Sequence, residues 1–68
     1  MEKRTMTLNL DGREMDVVEA LCRKKGLSKT ALLRQCLRLY QAIENRIARG
    51  EKLFFEDEEK LKSELVLL

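Results

Sequence analysis

The chain has 68 residues, with 14 Lys/Arg, 12 Asp/Glu, no Pro and no His. That length limits it to one small domain, and one with too little apolar surface to be comfortable alone without a disulfide, a metal or a partner. Its two cysteines, Cys22 and Cys36, cannot make a four-ligand zinc site of the usual Cys/His kind within one copy. Both lie inside apolar patterns, which favours small buried thiols over a bridge. Oligomerisation is left as the source of the missing core. The N-terminus lacks the apolar region of a signal peptide, and no apolar run reaches membrane-span length. A reduced, soluble, cytoplasmic protein with no membrane partner is therefore expected. The net charge of +2 is unevenly placed: residues 1–50 hold 11 Lys/Arg against 6 Asp/Glu, and residues 51–68 hold 3 Lys against 6 acids. A basic body with an acidic tail suits an anionic partner for the body.

Residues 3–10 read Lys-Arg-Thr-Met-Thr-Leu-Asn-Leu. From Thr5 onward apolar and polar residues alternate strictly, the signature of a half-buried strand. No second run follows soon enough for a hairpin, so pairing with the same strand of a second copy is expected. Asp11 and Glu14 form a capping-box-like helix start. Met15, Val18, Leu21 and Cys22 follow at helical spacing, flanked by Val17, and Arg23-Lys24-Lys25 suits a helix C-terminus. Gly26 supplies the stop, which predicts a first helix over 12–25.

Leu27 is a short link and Ser28 a good N-cap for a second helix over 29–49, ended by Gly50. Leu32, Leu33, Cys36, Leu37, Leu39, Tyr40, Ile43 and Ile47 give this helix a broad apolar face, wider than one short helix covers. Tyr40, Ile43 and Ile47 are expected to pack across a dimer. The tail, 51–68, has apolar blocks Leu53-Phe54-Phe55 and Leu65-Val66-Leu67-Leu68 around a charged middle. It reads either as two short strands joined near Glu58-Glu59 or as a helix from about 56 to 66. Aromatic and β-branched residues at the two ends favour the strands.

At Lys3-Arg4-Thr5-Met6-Thr7-Leu8-Asn9-Leu10 and at Gly26-Leu27-Ser28-Lys29-Thr30-Ala31-Leu32 the chain resembles the ribbon-helix-helix family of Arc-, MetJ- and CopG-like repressors. The resemblance covers about residues 3–49. It implies a mainly α fold with a short N-terminal β-strand: an intertwined homodimer whose two strands form an intermolecular antiparallel ribbon. Residues 1–50 would be the DNA-binding and dimerisation domain, and 51–68 an acidic, apolar extension. The implied function is that of a sequence-specific regulator of transcription, a repressor, laying the ribbon in the major groove of double-stranded DNA. The family also supplies antitoxins and plasmid-maintenance proteins. A dimeric protein-interaction module without DNA binding is the rival class.

Strand parity puts Met6, Leu8 and Leu10 on one face and Lys3, Thr5, Thr7 and Asn9 on the other. Thr5, Thr7 and Asn9 are the expected base contacts, since Asn can pair with adenine and Thr can hydrogen-bond or touch a thymine methyl. A helix N-terminus offers free N–H groups to an anion, and in the family the start of the second helix clamps a DNA phosphate. That role falls here on Ser28, Lys29 and Thr30. Lys3, Arg4 and Arg13 are further phosphate candidates, although Arg4 has the inward parity and must turn outward at the strand end. Catalysis is not expected: there is no His, and neither Ser28 nor Ser63 has a base with a pairing logic. No cofactor or metal is called for. Dimers are expected to assemble further on tandem sites, and the tail to offer a surface to a protein partner.

Overall fold

A computed structural model of the chain describes residues 2–66. The fold is mainly helical: α1 (Gly12–Lys25) and α2 (Lys29–Ala48) precede two short strands, β1 (Leu53–Glu56) and β2 (Lys62–Leu65). These strands form one antiparallel pair with Leu53 opposite Leu65 and Glu56 opposite Lys62. The tail is thus a hairpin, not a helix over 56–66, and Leu67 and Leu68 of its last apolar block lie outside the described residues. The chain divides into two compact units, Met1–Leu33 and Arg34–Leu68.

In the first unit the helix boundaries follow from local chemistry. The Asp11 carboxylate accepts from the Glu14 N–H at 2.8 Å, and the Glu14 carboxylate accepts from the Asp11 N–H at 3.1 Å. This reciprocal box satisfies two N–H groups at the helix start. At the other end Gly26 takes a left-handed conformation (φ 64°) that lets both its own N–H and that of Leu27 reach the Cys22 carbonyl. Ser28 then opens α2, its Oγ accepting from the Ala31 N–H at 3.1 Å. Leu32, 6% exposed, is the one buried residue among the described residues. Met15, Val18, Cys22, Leu27 and Ala31 are half-buried, whereas Val17 and Leu21 remain exposed.

Residues 2–10 carry no strand in the single chain, whose described strands both follow the helices. The physical reason is that a strand exists only with a partner to fill its N–H and C=O groups, and the chain's two strands pair with each other. Met6 is 78% and Leu8 50% exposed and only Leu10 is half-buried, so most of the apolar parity of the segment is left uncovered.

In the second unit Gly50 (φ 87°) ends α2. The Gly50 N–H reaches the Ile47 carbonyl and the Glu51 N–H the Arg46 carbonyl, a Schellman closure. Arg46 and Glu51 are then close enough for a two-pronged ion pair, Nε and Nη2 donating to the two carboxylate oxygens at 2.7 Å each. Hydrogen bonding to Arg46 holds the Glu51 carboxyl below its ordinary range, and the same bond, helped by charge attraction, raises the Arg46 guanidinium. Ile43, Ile47 and Leu53 are half-buried around an open groove of about 270 Å³. Cys36, expected as a small buried thiol, is exposed, because the apolar face of α2 is wider than its own chain covers.

The hairpin turn is built on Asp57. Its backbone N–H donates to the Leu61 carbonyl and its carbonyl accepts from the Lys60 N–H, both at 3.0 Å. Its side-chain Oδ1 accepts from the N–H groups of Glu59 and Leu61, both at 2.9 Å. Lys60 is left-handed (φ 65°), so the three-residue loop 58–60 is a type I turn closed by a G1-type bulge without its usual glycine.

Candidate nucleic-acid interface

All nine residues expected to meet DNA lie in the unit Met1–Leu33. Lys3, Arg4, Thr5, Thr7 and Asn9 are exposed on the segment before α1, and Arg13 is exposed in the first turn of α1. Thr5, Thr7 and Asn9 make no side-chain hydrogen bond to any described residue. Asn9 therefore does not fold back on its own backbone. Their hydroxyl and amide groups are free to be satisfied by water or by a ligand. The single chain does not bring these residues onto one ribbon face, since that face needs the second strand.

The start of α2 is better formed. Of the first N–H groups of α2, that of Ala31 is taken by Ser28 Oγ and that of Leu32 by the Ser28 carbonyl at 2.9 Å. Among the described residues those of Lys29 and Thr30 have no acceptor. They point out of the helix start, where the dipole is positive and an anion is favoured. Ser28, Lys29 and Thr30 are all exposed, so the end is open to a phosphate-sized group. One feature escaped the sequence reading: the Lys29 ammonium lies 3.9 Å from the Glu19 carboxylate of α1. The contact is long and both side chains are about half exposed, so it is worth little. The spacing Glu19–Lys29 is too long for a same-helix pair. Only the tight Gly26-Leu27-Ser28 turn brings the two together.

No known protein family, curated protein or solved structure matches the chain.

Proposed function

We propose that the protein is a sequence-specific DNA-binding regulator, a repressor, that works as a homodimer through a β-ribbon formed by residues 3–10 of two copies. One observation carries this reading. An alternating segment holds Met6 and Leu8 in water on one parity and unpaired Thr5, Thr7 and Asn9 on the other, and its own chain offers it no strand. A second copy about a twofold axis supplies the ladder, covers the apolar parity with helices and leaves the polar parity facing outward. A two-stranded ribbon of that kind fits the major groove. The open N–H groups of Lys29 and Thr30 then hold a backbone phosphate, with Lys3, Arg4 and Arg13 adding positive charge.

The test begins with genomic binding-site selection on the purified protein, followed by fluorescence titration of the selected site and of random DNA across a salt series. Thr7→Ala is expected to lower affinity for the selected site about tenfold, with little effect on random DNA. Lys29→Ala is expected to weaken both equally and to flatten the salt dependence by about one phosphate. Equal losses on both DNAs from Thr7→Ala would remove base reading from the proposal. Binding indifferent to salt would remove DNA altogether and favour the protein-interaction class.

A further inference from the structure

We propose that the free edge of β1 pairs with β1 of a second copy about a twofold axis through Phe54, joining two hairpins into a four-stranded antiparallel sheet. The register of the hairpin decides which groups face outward. Asp57 and Leu61 are a hydrogen-bonded pair, and the ladder keeps the same register through Phe55–Ser63 and Leu53–Leu65. Because hydrogen-bonded and non-hydrogen-bonded pairs alternate, Leu53, Phe55 and Asp57 turn their backbone groups toward β2. Phe54 and Glu56 turn theirs away, and among the described residues these outward groups have no partner.

A two-stranded hairpin with four-residue strands is marginal by itself in water. Its free edge is a template for another strand. Sequence around that edge is self-complementary in one register. With Phe54 opposite Phe54 of the copy, Lys52 faces Glu56 and Glu56 faces Lys52, so two symmetric ion pairs form. On the other side of the sheet Leu53 faces Phe55 and Phe55 faces Leu53. Shifting the axis to Phe55 sets Phe54 against Glu56 and Leu53 against Asp57, losing both the ion pairs and the apolar matches. Pairing through Phe54 also uses the outward backbone groups in the right phase, as a hydrogen-bonded pair. Phe54 is 47% and Phe55 64% exposed in the lone chain, so there is apolar surface to cover. The β2 edge offers less apolar cover: about Ser63 it too sets Lys62 against Glu64 and Leu61 against Leu65, but its centre is Ser63 against Ser63 and it joins no aromatic side chains.

This pairing does not rest on the DNA reading, and its test is read without nucleic acid at a position outside 3–10. In a Cys22→Ala/Cys36→Ala background, Phe54→Cys places two thiols across the axis. Opposed Cα atoms of a hydrogen-bonded pair are about 5.5 Å apart, within disulfide reach. Mild oxidation of the full chain is expected to convert the Phe54→Cys protein to covalent pairs and to leave the Ser63→Cys protein as single chains. Any other pattern overturns the proposal: the reverse puts the junction on β2, and no cross-linking leaves the edge to a foreign strand or to water.

Adding Lys52→Glu or Glu56→Lys to the Phe54→Cys protein is expected to slow cross-linking about tenfold, as two cross-strand pairs change from attraction to repulsion. An equal mixture of the two charge variants is expected to recover the original rate and to give mixed pairs by mass spectrometry. A mixture no faster than its components would refute the register.

Discussion

Lys60 is the residue whose conformation is least suited to its type. A non-glycine in the left-handed region costs about 1–2 kcal/mol, and the Asp57 hydrogen bonds hold it there. Lys60→Gly is therefore expected to stabilise the hairpin by about 1 kcal/mol, seen as a rise of about 4–8 °C in the melting temperature of so small a chain. An unchanged or lower melting point would mean that the turn does not limit stability. Glu51 supplies a second check at this scale. Its carboxyl titrates below the ordinary range when folded, so its ion pair contributes fully above that range and is lost as pH falls from it down through the lowered folded value. A stability gap between the wild type and Glu51→Gln is expected at neutral pH. It should begin to narrow as pH falls through the ordinary glutamate range near about 4 and close only below that range, where the native side chain is also neutral. A gap constant with pH would assign the effect to something other than the charge. The Arg46–Glu51 pair was not legible in sequence, because it depends on the chain reversal at Gly50 rather than on helical spacing.

The elements were legible wherever the signal was local. Asp11, Glu14 and Gly26 bounded α1 to the residue, and Ser28 opened α2, because caps and stops act through bonds spanning a few positions. The hairpin was readable from the placement of Phe54, Phe55 and Val66 at the ends of a charged stretch. Residues 3–10 show the converse. Alternation states which side a strand would bury, but it does not supply the second strand, and the single chain shows none. The candidate interface was legible to the same degree: the open helix start at Lys29 and Thr30 is present in one copy, whereas the proposed ribbon face would need two. The apolar arc of α2 belongs with the ribbon. At 100° per residue Leu33, Leu37 and Tyr40 share a line, and Leu37 is 69% exposed. Leu37→Lys removes little contact within the chain, so a solvated face predicts little loss of stability. As a dimer face it predicts dissociation by sedimentation and a lower melting temperature.

For the molecule as a whole, one buried residue among those described is too small a core to oppose chain entropy. The expected outcome is that folding and association are one event: dilution should lower helical circular dichroism together with the sedimentation coefficient, and the melting temperature should rise with protein concentration. A chain that keeps its helices as a sedimenting monomer would refute this. The same feature has a bearing on turnover. Open, unpaired copies are the ones a protease captures, and their share grows as synthesis falls. On the proposed dimer the protein would be cleared fastest when scarce and persist when abundant, so its cellular level would respond more steeply than in proportion to the rate at which it is made.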